Sequence, residues 1–309
     1  MPGRRTRKRN TCNQRFAISA GILTHYAPKT LDDTLKTYKK SGLFDLIDDV
    51  FVVIQKSDRQ MEEKDVCEKY ELRYVLMSEN GKMGGGFRGI YDHAKHNVLL
   101  PLENDWHIYF KAADVKSFLQ NAMYFLLETD CDIVRGRSRE RPGLPNMAHE
   151  WYIKDPVNYR KNHARFLCES FFWELEPENK YSDVISRITP LIGTPADEPA
   201  ATSYFPSRAA AFSKNMKVQE ASGIRSDAWY ASSSQYCNYT NNPYLCTRQF
   251  FRKAILPSAV PGSYIEGSID KSWAKADYTC VFGPGLFTHN RPYDGHNFKD
   301  NSYTVDMKK

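Results

Sequence analysis

The chain has 309 residues, 41% hydrophobic and 13% aromatic, with a formal net charge of +6. That is enough for one large α/β domain or two modest ones, and five of the positive charges (Arg4, Arg5, Arg7, Lys8 and Arg9) sit in a basic tail over residues 1–14. Without the tail the remainder is near neutrality, which argues against a dedicated nucleic-acid-binding domain; no run approaches the roughly 20 apolar residues of a membrane span, and no apolar stretch follows the tail as a secretory signal would need, so a cytosolic protein is expected.

Order is expected from Arg15. Phe16–Thr24 is short and apolar, as in a strand buried on both faces. A helix follows, with Thr30 as N-cap, Leu31, Leu35 and Tyr38 on one face, and Lys39 and Lys40 before Gly42. Asp49–Ile54 reads as a second buried strand, Arg59–Lys69 as a charged helix, and Leu72–Met77 as a third strand. Ser78–Gly86 is polar and dense in glycine, a turn leading into a helix over Phe87–Lys95. Asn97–Leu102 forms a fourth strand, which stops at Glu103-Asn104-Asp105-Trp106. Val115, Phe118, Leu119, Ala122, Met123 and Leu126 recur at helical spacing over Ala112–Glu128. The alternation predicts an α/β fold with a mostly parallel, nucleotide-binding type of sheet. Beyond Asp130 the pattern becomes irregular, and Ile192–Ala211 reads as a loop. Residues 15–309 are expected to form a single domain, with a nucleotide-binding half (15–107) and an acceptor-side half (108–309).

Ligands of open α/β sheets gather beyond the carboxyl ends of the strands, where Glu103, Asn104 and Asp105 fall. Two carboxylates two residues apart on an extended chain face the same way and offer the hard oxygens that Mg2+ or Mn2+ prefers; the alternative is an ordinary polar turn. Gly84, Gly85 and Gly86 would let backbone N–H groups approach a ligand, with Arg88 and the weaker candidate Lys82 offering charge to phosphate, or they form a flexible loop. The spacing matches neither a Walker loop nor GxGxxG. Arg135, Arg137, Arg139 and Arg141 alternate and, if extended, face one side. Trp151, Trp173, Trp229 and Tyr230 are candidates to stack on acceptor sugars. Seven cysteines without a CxxC pair argue against a disulfide framework or zinc knuckle; Cys237 and Cys246 are near enough to bridge, but free thiols are expected.

Four stretches together resemble nucleotide-sugar glycosyltransferases of the GT-A fold, the family-2-like group and related enzymes of large DNA viruses and bacteria. They are Thr24-His25-Tyr26 at the end of the first strand, Asn80-Gly81 through Gly86-Phe87-Arg88, Leu100 through Trp106, and Gly283-Pro284-Gly285-Leu286-Phe287-Thr288-His289. The resemblance implies a GT-A mixed sheet flanked by helices, a Mn2+ or Mg2+ cofactor, and a nucleotide-diphosphosugar donor, UDP-sugars being favoured. It implies donor contacts from Thr24, His25, Tyr26, Gly84, Gly85, Arg88, Glu103, Asn104 and Asp105. Asp105 is then a direct metal ligand, Glu103 reaches ribose or metal through water, and His289 returns to the metal, with His296 as its substitute. Glu103 departs from the family's usual first Asp. Glu266 matches the position of the catalytic base in an inverting transfer to a glycan or other hydroxyl acceptor, with Asp270 and then Asp155 behind it; the alternative is that Glu266 caps a helix N-terminus. A retaining transferase and a non-catalytic basic nucleic-acid-binding protein are the competing readings.

Overall fold

The computed structural model describes residues 15–138, 189–190, 229–235 and 237–290. The basic tail, Asp155, Arg139, Arg141, Trp151, Trp173, the Ile192–Ala211 stretch and His296 lie outside the described residues. The first half follows the expected alternation: β1 (Phe16–Thr24), α1 (Pro28–Lys40), a short α2 (Leu43–Leu46), β2 (Ile47–Ile54), α3 (Gln60–Lys69), β3 (Arg73–Leu76), α4 (Lys82–His93), β4 (Val98–Glu103) and β5 (Trp106–Ile108). Then come α5 (Ala112–Glu128), β6 (Ile133–Arg137), β7 (Thr189–Pro190), β8 (Tyr230–Ser233), β9 (Tyr244–Thr247), α6 (Arg248–Phe250), α7 (Ile265–Ala276) and β10 (Thr279–His289). A π turn over Phe251–Ile255 and a 3-10 turn over Leu256–Ser258 continue α6.

The strands form one sheet in the order β3-β2-β1-β4-β9-β6-β10-β8-β7, with β5 pairing β10 off this path. β3, β2, β1 and β4 run parallel, as do β6 and β10; β9 runs antiparallel between β4 and β6. The expected mixed α/β class is met, and the sheet runs unbroken from the first half into the second. Regular structure also reaches further than the sequence pattern implies, because β6 and β8–β10 are short or interrupted strands with little periodicity to detect.

Alternation along the strands assigns the two faces. Ile18, Ala20 and Ile22 of β1, Val52 and Ile54 of β2, and Val98, Leu100 and Leu102 of β4 pack with Leu31, Leu35 and Tyr38 of α1 and Val115, Phe118 and Phe125 of α5. Leu23, Phe51, Val53 and Leu99 point the other way, onto Phe87 and Ile90 of α4 and Ile265, Ile269 and Trp273 of α7. Helices therefore cover both faces, and the loops at the carboxyl ends of the strands are left to build a site.

Two local expectations are corrected. Thr30 is not the N-cap of α1: Ala27 takes that place and the helix starts three residues earlier, at Pro28, where a fixed φ and a missing N–H fit well. Thr30 is buried inside it. The glycine segment is not a turn before a helix, since Gly84, Gly85 and Gly86 lie within α4. A Cβ on Gly86 would stand 2.3 Å from Leu23, and one on Gly84 would stand 2.0 Å from the Val260 carbonyl oxygen. Close helix packing, rather than turn geometry, selects the glycines.

At the amino-end edge of the sheet the buried Asp49 accepts from Ser19 Oγ at 2.7 Å, Arg73 at 2.8 Å and the Lys95 amide at 3.2 Å. Burial alone would raise its pKa; the bonds from Arg73, Ser19 and Lys95 outweigh burial and hold it below the usual carboxylate value. That stabilisation is present above the unfolded-state pKa and lost as pH falls through the lower folded value. Asp49→Ala is expected to lower stability by about 2 kcal/mol at neutral pH in denaturant titration. The gap from wild type should narrow below about pH 4.

Candidate functional site

β1, β2, β4, β6 and β10 all end at one edge of the sheet, the side where ligands of such sheets collect. At its centre β4 gives out at Glu103, Asn104 and Asp105 turn, and β5 begins. The two carboxylates are thus separated by a turn, not set side by side on an extended chain.

The turn is held from α1. Thr34 Oγ1 donates to the Asn104 carbonyl at 2.5 Å, Thr37 Oγ1 accepts from the Ile108 amide at 3.1 Å, and buried His107 pairs Asp33 at 3.3 Å. Burial lowers the His107 pKa, against the pull of Asp33. Burial, assisted by the Asp105 carboxylate, keeps the Tyr38 phenol well above its ordinary pKa and so neutral.

From the other end of the chain, β10 reaches the same place. Its residues Phe287, Thr288 and His289 pair antiparallel with Ile108, His107 and Trp106 of β5. His289 Nε2 consequently stands 3.2 Å from Asp105 Oδ2, a contact between residues 184 apart in sequence. Asp105 is buried and His289 is partly open. The Asn290 amide closes on the Asp105 carbonyl at 2.8 Å, and the His289 ring stacks on Trp106 at 4.8 Å. Arg137 lies over the same indole at 5.3 Å, which brings a permanent positive charge into the wall of the site.

β10 can serve both neighbours because Gly283-Pro284-Gly285 breaks its register. It pairs β6 through Cys280, Val281 and Phe282, then resumes at Phe287 opposite Arg137. Gly285 has φ +67°, and a Cβ there would fall 1.9 Å from the Arg137 carbonyl oxygen, so only glycine fits the bulge.

Thr24, His25 and Tyr26, three of the residues expected to contact a donor, lie at the end of β1. Thr24 Oγ1 donates to buried Glu63 at 2.6 Å and accepts from Asn104 Nδ2 at 3.0 Å. His25 contacts Asn80 at 3.0 Å, and Tyr26, in left-handed backbone at φ +59°, lies under the Arg59 guanidinium. Glu63 also accepts from the Ala27 amide at 3.0 Å, and burial raises its pKa against these bonds. Gly84, Gly85 and Arg88 do not present themselves to a ligand in this way. The Gly84 amide donates to the Ser263 carbonyl, the Gly85 amide to the Gly81 carbonyl, and Arg88 Nε to the Ala259 carbonyl at 3.0 Å. Lys82 instead covers the exposed ring of Tyr264 at 5.0 Å.

Glu266 lies in the first turn of α7, and Asp270 one turn on. Glu266 Oε1 accepts from the Asn241 amide at 2.7 Å, just before β9 enters the sheet at the same carboxyl edge. The arginine row does not share one side. Arg135 is buried among Tyr239, Tyr244 and Trp273 and donates to the Asn238 and Thr240 carbonyls, whereas Arg137 turns to Trp106. Trp229 is core, stacked 5.6 Å from Phe118 and beneath Gly283, and so unavailable to a sugar. Cys237 and Cys246 are free thiols.

The donor set at Asp105 and His289 is one carboxylate oxygen and one imidazole nitrogen. Glu103 does not gather with them: among the described residues no three His, Cys, Asp or Glu side chains cluster for a metal. Two protein ligands fit a divalent cation whose remaining positions are filled by water and phosphate oxygens. The pattern-based reading missed Glu63, Thr34 and Thr37. Two threonines interrupting the apolar face of α1 were the one available sign; nothing in the sequence marks Glu63 among its charged neighbours.

No protein-family model matches the chain, and no curated protein matches it in sequence. Several solved structures are similar to it in chain path. The mannosyltransferase PcManGT from Pyrobaculum calidifontis, in complex with GDP-Man and Mn2+, is 11% identical over 91% of this chain and 59% of its own, with a TM-score of 0.48. Glucosyl-3-phosphoglycerate synthase from Mycobacterium tuberculosis, in complex with Mn2+, UDP-glucose and phosphoglyceric acid, is 13% identical over 90% and 73%, with a TM-score of 0.44. S. aureus TarS 1-349 is 21% identical over 42% and 38%, with a TM-score of 0.32. The match thus spans less than two thirds of the TarS and PcManGT chains. At these identities and scores the likeness is loose, and the site's own geometry carries the functional reading. Among the described residues no helix is long and apolar enough to cross a membrane.

Replacing Gly285 tests how His289 is delivered. Gly285→Ala is expected to cost more than about 1 kcal/mol from the left-handed backbone alone, with the Arg137 clash added, and to speed amide exchange at Thr288 and Asn290. Gly267→Ala, in open space on α7, should leave stability unchanged or improve it.

Proposed function

We propose that the protein is a GT-A-type, metal-dependent glycosyltransferase that moves a sugar from a nucleotide-diphosphosugar, with UDP-sugars favoured, to the hydroxyl of a glycan or other acceptor. The observation that carries this reading is the meeting of Asp105 with His289 at the carboxyl edge of the sheet. A buried carboxylate, an imidazole and a nearby arginine form a site suited to a diphosphate and its cation. Bound there, Mn2+ or Mg2+ supplies charge neutralisation for the departing diphosphate.

The remaining roles belong to this chain's own side chains. Asp105 and His289 would hold the cation, and Glu103 would reach the ribose, or the metal through water. His25 and Tyr26, held by the Thr24–Glu63 contact, line the nucleotide's base end. Arg137 adds positive field beside the phosphates. Glu266, oriented by the Asn241 amide, takes the proton from the acceptor hydroxyl as its oxygen attacks the anomeric carbon and the bond to the diphosphate breaks. Asp270 is the second choice for that proton. Attack from the face opposite the leaving group inverts the anomeric centre.

A thermal-shift screen of UDP-, GDP- and dTDP-sugars is expected to stabilise the protein with one nucleotide, and only with Mn2+ or Mg2+ present. With that donor, Asp105→Ala should lose on the order of 100-fold or more in turnover. Full activity in that variant contradicts the proposal. Glu266→Gln should lose about 100-fold or more while donor binding is kept, and the product's anomer by NMR should be inverted.

A further inference from the structure

Glu63 is a buried carboxylate for which the proposed transfer has no chemical use. It sits in the first turn of α3, fully buried, under the end of β1. One oxygen, Oε1, accepts from both Thr24 Oγ1 at 2.6 Å and the Ala27 amide at 3.0 Å. These bonds straddle His25 and Tyr26, the latter in a backbone conformation that side-chain-bearing residues seldom adopt. Because the Thr24 hydroxyl points its hydrogen at Glu63, its lone pairs face outward, and one accepts from Asn104 Nδ2 at 3.0 Å. Asn104 is the residue before Asp105, and Thr34 fixes its carbonyl from the opposite side. One carboxylate therefore sets both the loop at the end of β1 and the side-chain orientation within the acid turn.

We propose that Glu63 is a positioning residue that couples the nucleotide-binding loop to the metal-holding turn through Thr24 and Asn104. This inference rests on the glycosyltransferase reading and goes beyond it by assigning donor affinity to a residue that touches neither nucleotide nor cation. The chain of bonds converges on the carboxyl edge alone; the core-locking carboxylate of this sheet, Asp49, works at the opposite edge with different partners. Outer contacts that orient ligating groups commonly govern affinity without touching the ligand.

The test is the affinity of UDP, GDP and dTDP for the full chain in the presence of Mn2+, by calorimetry, using whichever nucleotide the wild type binds. Glu63→Ala should weaken binding about tenfold or more. Glu63→Gln keeps an acceptor at Oε1 and should stay within about threefold of wild type. Thr24→Val should weaken binding as Glu63→Ala does, and the double variant should be little worse than either, since both cut one chain of contacts. In turnover, KM for the donor should rise more than kcat falls. Denaturant unfolding of each variant separates this from a packing role, which would lower stability and leave affinity intact. If Glu63→Ala fails to fold, Thr24→Val and Glu63→Gln still decide the matter. Equal affinity in Glu63→Ala and wild type, additive losses in the double variant, or a Gln variant as weak as Ala would overturn the inference alone. A wild type that binds none of the three nucleotides overturns the proposed function, and this inference with it.

Discussion

Three antiparallel residue pairs, Trp106 with His289, His107 with Thr288 and Ile108 with Phe287, join the strand after the acid turn to the last described strand. The candidate site depends on them. Without that short ladder Asp105 is an ordinary acid in the turn after β4, and His289 has no reason to lie 3.2 Å away. Everything around the ladder can be understood as bracing it. α1 fixes the turn before β5 by two threonine hydroxyls, Trp106 offers its ring to His289, and Gly285 allows β10 to leave β6 and reach β5.

The two edges of the sheet divide the work. At the amino ends, Asp49 ties β1, β2 and the connection into β4 with charge-assisted bonds, which favour a fixed register. At the carboxyl ends the buried polar groups serve orientation instead: Glu63, Thr24, Asn104 and Thr34 link the loop after β1 to the acid turn and to α1. The glycines of α4 belong to this arrangement through packing. They let the helix settle against Leu23 and Val260, which positions α7 and its Glu266 over the same edge.

Much of the first half was legible in the sequence because its elements are long and periodic. β1 and α5 have the bounds that the apolar pattern predicts, and the acid tripeptide ends a strand as expected. The errors have specific physical sources. Gly84–Gly86 has the composition of a turn, yet tertiary packing draws it into a helix. Arg135 and Arg137 are two apart on β6, but they reach different aromatic groups. The partnership of Asp105 with His289 has no local signature at all; the resemblance to glycosyltransferases suggested it, and the pairing of β5 with β10 supplies its physical basis. Glu63 was illegible because a buried acid and a solvated one look alike in a charged helix.

The proposed transfer requires Asp105 and His289 to share one cation, and Mn2+ gives a direct view of its ligands. In the presence of the bound nucleotide, pulsed EPR of Mn2+ on the protein should report a coupled histidine nitrogen, and His289→Ala should abolish it while some Mn2+ binding survives through Asp105. A nitrogen coupling that persists in His289→Ala, or none in the wild type, would contradict the shared site.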